Sequence, residues 1–258
     1  MDKTYKKLLC FIIIPVIIAA FPFLVFADSE DTKAYDWYFK PASDNMRPEL
    51  CPEADFLGSF DVISIGEDTK TLYLTFDAGY DEGTHELILD ALKAANVKAA
   101  FFVDGNFVKN NPDLVKRISI EGHILGNHSL KHANMTKLTD FEKYSEQITG
   151  WQKLVAELGV EGSNYFRFPE GKFSKLALEY NERLSQTSVF WSFAYYDWDN
   201  NDPPTETAAL KKICSRVHNG AVLLLHSTSK TNAKILPELI STLKQQGYTF
   251  AELSSIQR

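Results

Sequence analysis

The chain has 258 residues, 45% of them hydrophobic, 13% aromatic and 24% charged, which is ordinary globular composition and excludes a mostly disordered protein. Its formal charge is -7, or -9 once the three Lys and one Asp of residues 1–27 are set aside. That sign excludes nucleic acid as a partner, since nucleic-acid binders need basic faces, whereas an uncharged or mixed-charge polymer is compatible with it.

Lys3, Lys6 and Lys7 precede an apolar run from Leu8 to Phe26, which closes on Val25-Phe26-Ala27 in the pattern of an export signal. Its 19 residues also suffice to span a bilayer, so an uncleaved membrane anchor over residues 8–26 is the alternative reading. Either way the rest of the chain is expected outside the cytoplasm, because only a short Lys-bearing N-terminus precedes the apolar run. Cys10 lies in this segment. Cys51 and Cys214 remain, either paired in an oxidising compartment or as two free thiols, and no CxxC zinc motif occurs.

Residues 28–70 carry Pro41, Pro48, Pro52, Gly58 and Gly66 among polar and aromatic residues, without sustained periodicity. They predict an N-terminal extension wrapping a domain of residues 71–258. From Thr71 short apolar runs alternate with helix-period segments. The runs predict strands near 71–76, 98–103, 123–127, 165–168, 187–193, 221–225 and 249–251. Helices are predicted between them, near 85–95, 112–121, 140–158, 175–184, 206–217 and 232–246, with Asp113 and Asp140 in first turns or caps. Seven strands alternating with helices predict an α/β fold, either a parallel barrel or a doubly wound sheet; in both, chemistry gathers beyond the C-terminal ends of the strands.

Five polar elements sit at such ends. Thr75-Phe76-Asp77-Ala78-Gly79-Tyr80 closes an apolar strand on an acid, followed by a glycine that permits a tight turn. His128-Ser129-Leu130-Lys131-His132 places two histidines four apart; on one helical turn both imidazoles would share a face, which is metal-ligand spacing. Phe166-Arg167-Phe168-Pro169-Glu170-Gly171 breaks after an arginine, and Asp197-Trp198 follows an aromatic run. The apolar strand Ala221–Leu225 terminates on His226. Each alone has a structural explanation, as a turn former, a cap or a hydrogen-bonding histidine. Together on successive strands they converge on one face. A His pair can hold a zinc-like ion, a nearby acid can take a proton from water, and a further His can protonate a leaving group, which describes a hydrolase.

At these residues the chain resembles the polysaccharide deacetylases of carbohydrate esterase family 4, the NodB-homology enzymes, over roughly residues 71–258. The resemblance implies a distorted (β/α)7 barrel and hydrolysis of N-acetyl groups. It implies Asp77 as general base, His128 and His132 as ligands of a divalent metal (zinc, with cobalt or manganese as alternatives), and His226 as general acid. Arg167 would pair with Asp77 and Asp197 would orient His226. Tyr80, Phe168, Pro169 and Trp198 would meet the substrate, with Tyr80 or the backbone after Gly79 offering an amide donor to the developing oxyanion.

The chain departs from the family pattern T-F-D-D-G at Ala78, where the second Asp is a metal ligand. A subgroup that also lacks it, the peptidoglycan N-acetylmuramic acid deacetylases of spore-forming bacteria, is resembled by T-F-D-A-G-Y, V-F-W-S-F-A-Y-Y-D-W and L-L-L-H-S-T-S-K-T-N-A. This implies a monomeric enzyme acting on peptidoglycan glycan strands of the spore cortex, where deacetylated muramic acid closes a δ-lactam. The same reaction on N-acetylglucosamine in peptidoglycan or chitin, and a catalytically silent wall-binding barrel, are the rival expectations. Glu170, which departs from the family's R-P-P-x-G pattern, is left without a role.

Overall fold

The computed structural model describes residues 31–42 and 44–257; the expected signal or anchor lies outside them. Among the described residues no helix is long and apolar enough to cross a membrane. The strands that build the site are β1 (Val62–Ile63), β2 (Thr71–Ala78), β3 (Ala100–Val103), β4 (Ile124–Asn127), β5 (Tyr165–Phe166), β6 (Thr187–Val189), β7 (Val222–His226) and β8 (Thr249–Phe250). The helices are α1 (His85–Ala95), α2 (Gly105–Asn110), α3 (Pro112–Ile120), α4 (Phe141–Glu157), α5 (Lys175–Arg183), α6 (Glu206–Arg216) and α7 (Lys230–Gln245).

All pairings in this sheet are parallel, in the order β7-β2-β3-β4-β5-β6-β1, with β8 beside the start of β2. Between the edges, single bridges join Ile65 to Ala221 and Phe193 to Leu223. The sheet therefore curls into a distorted barrel with one loose seam.

Strand alternation sorts the side chains. On β2, Leu72, Leu74 and Phe76 pack into the layer shared with the helices, whereas Tyr73 belongs to the inner cluster with Ala100, Phe102 and Val222. With a period of two, Asp77 points inward at the upper end of the strand. On β7 the same alternation sends Leu223 and Leu225 outward and His226 inward, and the register pairs His226 with Asp77 directly. Gly126 on β4 belongs to this arrangement: a Cβ there would lie 2.5 Å from the Phe102 ring.

The extension is more than a wrapper. Val62–Ile63 enters the sheet beside β6, so the barrel starts before Thr71. Upstream, Tyr35–Asp36 pairs antiparallel with Lys172–Phe173, and the buried Trp37 stacks on Phe190 at 4.3 Å while its Nε1–H donates to the Trp191 carbonyl. These contacts cover an aromatic cluster of Phe166, Phe168, Phe173 and Phe190. Cys51 and Cys214 are free thiols. If the extension is structural in this way, Trp37→Ala will cost about 3–5 kcal/mol. Urea denaturation should show a lowered midpoint at an unchanged m-value.

Candidate active site

The loops beyond the C-terminal ends of the strands enclose a cleft with two lobes, each of about 420 Å³, that share Asp77, His128, His132, Trp198 and His226. One lobe continues past Ala78, Gly79, Tyr80, Asp104, Asn106 and Thr228. The other continues past Glu170, Gly171, Trp191, Ala194, Tyr195 and Leu224.

Asp77 is buried at the floor, and Arg167, fully buried, donates from Nη1 to its Oδ1 at 2.8 Å. The guanidinium is held by the Val189 and Phe190 carbonyls and lies over the Phe102 ring at 4.2 Å. Burial opposes ionisation of Asp77, but the charge and hydrogen bond of Arg167, helped by His226, prevail and hold its carboxyl below the ordinary range. A base that stays ionised in a dry site results.

Across the cleft, His226 Nδ1–H donates to Asp197 Oδ1 at 2.7 Å, and the His226 backbone N–H donates to Asp197 Oδ2 at 2.9 Å. The bond at Nδ1 fixes the ring so that Nε2 carries the exchangeable proton. Burial disfavours the imidazolium, yet the hydrogen bond and charge of Asp197 outweigh it and raise the pKa. Asp197 and His226 are held further by Asn232, whose Nδ2 donates to Asp197 Oδ2 at 2.6 Å and to the His226 carbonyl. Tyr195 OH donates to Oδ1 of the same amide.

His128 and His132 meet with ring centroids 4.9 Å apart, but not on a helical turn. The segment is a loop in which Ser129 (φ 67°) and His132 (φ 51°) take left-handed backbone, and that reversal, rather than helical periodicity, brings the rings together. His128 Nδ1–H donates to the Arg167 carbonyl at 2.9 Å, leaving Nε2 toward the cleft, 3.7 Å from Asp77 Oδ2. Burial pushes the His128 pKa down to about 4, so the ring is a neutral donor at physiological pH. Two imidazoles placed this close fit two corners of a divalent cation's coordination shell. Among the described residues no group of three or more His, Cys, Asp or Glu is arranged to hold an ion, in keeping with Ala78.

Tyr80 and Trp198 line the cleft as expected, the Trp198 ring 5.7 Å from that of His226. Phe168 and Pro169 do not. With Arg167 turned into the barrel, alternation turns Phe168 the other way, where it is fully buried and stacks on Phe190 at 5.7 Å; Pro169 is buried beside it. Glu170 and Gly171 reach the cleft in their place.

Two contributors went unrecognised in the sequence. Asp104 follows β3, caps α2 by accepting from the Phe107 backbone N–H, and lines the lobe next to Gly79. Burial holds its carboxyl above the ordinary range. The run Phe101-Phe102-Val103-Asp104-Gly105, an apolar strand closing on an acid and a glycine, repeats the signal that marked Asp77. His85, fully buried, bridges Asp81 Oδ1 at 2.7 Å and Ser227 Oγ at 2.8 Å, while the Ser227 N–H donates to the Asp77 carbonyl. The ends of β2 and β7 are thereby tied together.

Residues 65–189 match the polysaccharide deacetylase family. The chain is 36% identical over 232 residues to the peptidoglycan-N-acetylmuramic acid deacetylase PdaA of Bacillus subtilis, covering 89% of this chain and 88% of that protein. The chain belongs to the polysaccharide deacetylases. The crystal structure of Bacillus subtilis PdaA, a family 4 carbohydrate esterase, superposes with a TM-score of 0.84, covering 87% of this chain and 97% of that one. An uncharacterised 30.6 kDa protein of Geobacillus stearothermophilus is 41% identical over 85% of this chain and 84% of its own length. The peptidoglycan-N-acetylglucosamine deacetylase PgdA of Listeria monocytogenes is 36% identical over 72% of this chain, a region that makes up 39% of that protein. As a family 4 deacetylase the protein is a hydrolase of amide bonds, and metal dependence is general among such deacetylases.

If the two imidazoles hold the ion short of a carboxylate, Ala78→Asp at the buried end of β2 will supply one. Zinc affinity measured by calorimetric titration of the folded protein should rise at least about tenfold. Unchanged affinity would mean that position 78 does not face the ion.

Proposed function

We propose that this protein removes the acetyl group from N-acetylmuramic acid in peptidoglycan, outside the cytoplasm, and that the product closes the muramic δ-lactam of spore cortex. The reading rests above all on the in-register pair of Asp77 and His226 across one cleft, the first held ionised by Arg167 and the second held protonated by Asp197. The muramic preference is supported by the identity to PdaA across nearly the whole chain and by Ala78 in place of the family's second Asp. Export is assigned to residues 1–27.

His128 and His132 would hold a divalent cation, which we take to be zinc, with cobalt or manganese as alternatives; when bound it polarises the acetyl carbonyl and acidifies water. Asp77 takes a proton from the attacking water as its oxygen bonds to the carbonyl carbon. The backbone after Gly79, beside Tyr80, faces the developing oxyanion. As the C–N bond breaks, His226 gives its Nε2 proton to the departing nitrogen. Acetate and a free amine leave, and the proton held by Asp77 passes to solvent while His226 is reprotonated. Trp198 packs along the sugar beside His226.

Asp77→Asn and His226→Ala should each abolish acetate release from peptidoglycan, by at least 100-fold in kcat. Wild-type release in either variant would sink the assignment. Mass spectrometry of muramidase digests locates the lost acetyl: on muramic acid if the proposal holds, on glucosamine if the activity is that named for the Listeria relative.

A further inference from the structure

The loop after β6 is built inside out. Tyr195 and Asp197 are buried and hydrogen-bonded to Asn232 and His226, so the two residues that alternate with them, Tyr196 and Trp198, are turned outward and are about half exposed. Their rings lie 4.3 Å apart. Among the described residues four aromatic side chains are exposed, Tyr38 by about a third and Tyr80, Tyr196 and Trp198 by about half. Tyr38 is engaged by Glu53 within the N-terminal extension, while Tyr80 and Trp198 line the catalytic cleft. Tyr196 carries the aromatic surface from Trp198 out of the cleft to a second groove of about 280 Å³, which it lines with Asp202, Pro203, Pro204 and Lys212.

Exposed apolar surface gathered at one place marks a binding region rather than scattered chance. Two features specify the occupant. The rings are fixed by buried neighbours on either side, so little side-chain entropy remains to be lost on binding. The apolar faces are also edged by polar groups: Tyr196 OH donates to Asp199 Oδ2 at 3.1 Å, and Asp202 and Lys212 flank the groove. A pyranose has that dual character, with C–H groups on its faces and hydroxyls around its rim. Because the reacting acetamide belongs to a residue of a polymer, the strand must leave the cleft past one of its walls.

We propose that Tyr196, continuing from Trp198, forms a subsite for the sugar next to the one being deacetylated in the same glycan strand. The subsite rests on the deacetylase reading above, and it makes the enzyme selective for strands over single saccharides.

Binding can be measured without turnover, using the Asp77→Asn protein and peptide-free di-, tetra- and hexasaccharides of alternating N-acetylglucosamine and N-acetylmuramic acid. Affinity by calorimetry should tighten about tenfold from di- to tetrasaccharide. In Asp77→Asn/Tyr196→Ala that gain should disappear, and Tyr196→Phe, which keeps the ring, should restore it. A length dependence undisturbed by Tyr196→Ala in a protein of unchanged melting temperature would overturn the subsite. So would an effect confined to strands bearing stem peptides, which would assign the surface to peptide. Failure of the deacetylase reading would show separately, as absence of acetate release by the wild-type protein.

Discussion

A carboxylate and a guanidinium buried together at the floor of the barrel, Asp77 and Arg167, are the constraint on which the site depends. Neither ion is tolerable there alone, and removing one partner of such a pair commonly costs about 3–5 kcal/mol. Several local choices serve this pair. The Phe102 ring lies under the guanidinium, and Gly126 leaves space for that ring. The Val189 and Phe190 carbonyls accept from its Nε and Nη2, and the Arg167 carbonyl orients His128. One arginine thus sets the charge of the base and the tautomer of a candidate metal donor. Such a pair is a poor source of stability, and its use here is to keep a carboxylate ionised where water is scarce.

The second half of the site repeats the device with opposite sign. Asp197 is fully buried and receives three N–H donors, from the ring and backbone of His226 and from Asn232. The parallel register of β2 and β7 then sets base and acid opposite each other, and the His85–Ser227 contact secures the strand ends. Against these two well-supported halves, the pair His128 and His132 is lightly built, with one ring exposed and no carboxylate at position 78.

Much of this was legible in the sequence because β-strands have a period of two and end abruptly. An apolar run closing on Asp77 or His226 announces both the strand and the inward direction of its last side chain. Where the chain leaves regular structure the signal weakens. The spacing of His128 and His132 identified the right residues, but their approach comes from left-handed backbone at Ser129 and His132, which spacing does not reveal. Phe168 and Pro169 were placed with Arg167 by proximity in sequence, although one step along an extended chain reverses the side chain. The extension was opaque because its partners, Lys172–Phe173 and Phe190, lie more than 130 residues away. Asn232 carried no distinct signal, since Asn at the start of a helix is common for capping alone, and the strand-closing pattern at Asp104 reads equally as a helix cap.

The pH dependence of acetate release tests the two-charge account most directly. Asp77 must be ionised, so activity is lost as pH falls through its lowered pKa; His226 must be protonated, so activity is lost as pH rises through its raised pKa. We expect kcat/KM on peptidoglycan strands to form a bell whose acidic limb lies below the ordinary carboxylate value and whose basic limb lies above the ordinary imidazole value of about 6.5. In Asp197→Asn the basic limb should move to lower pH while the acidic limb stays in place. A basic limb that Asp197→Asn leaves unmoved, or a profile that rises steadily through the imidazole range, would contradict the assignment of His226 as the acid.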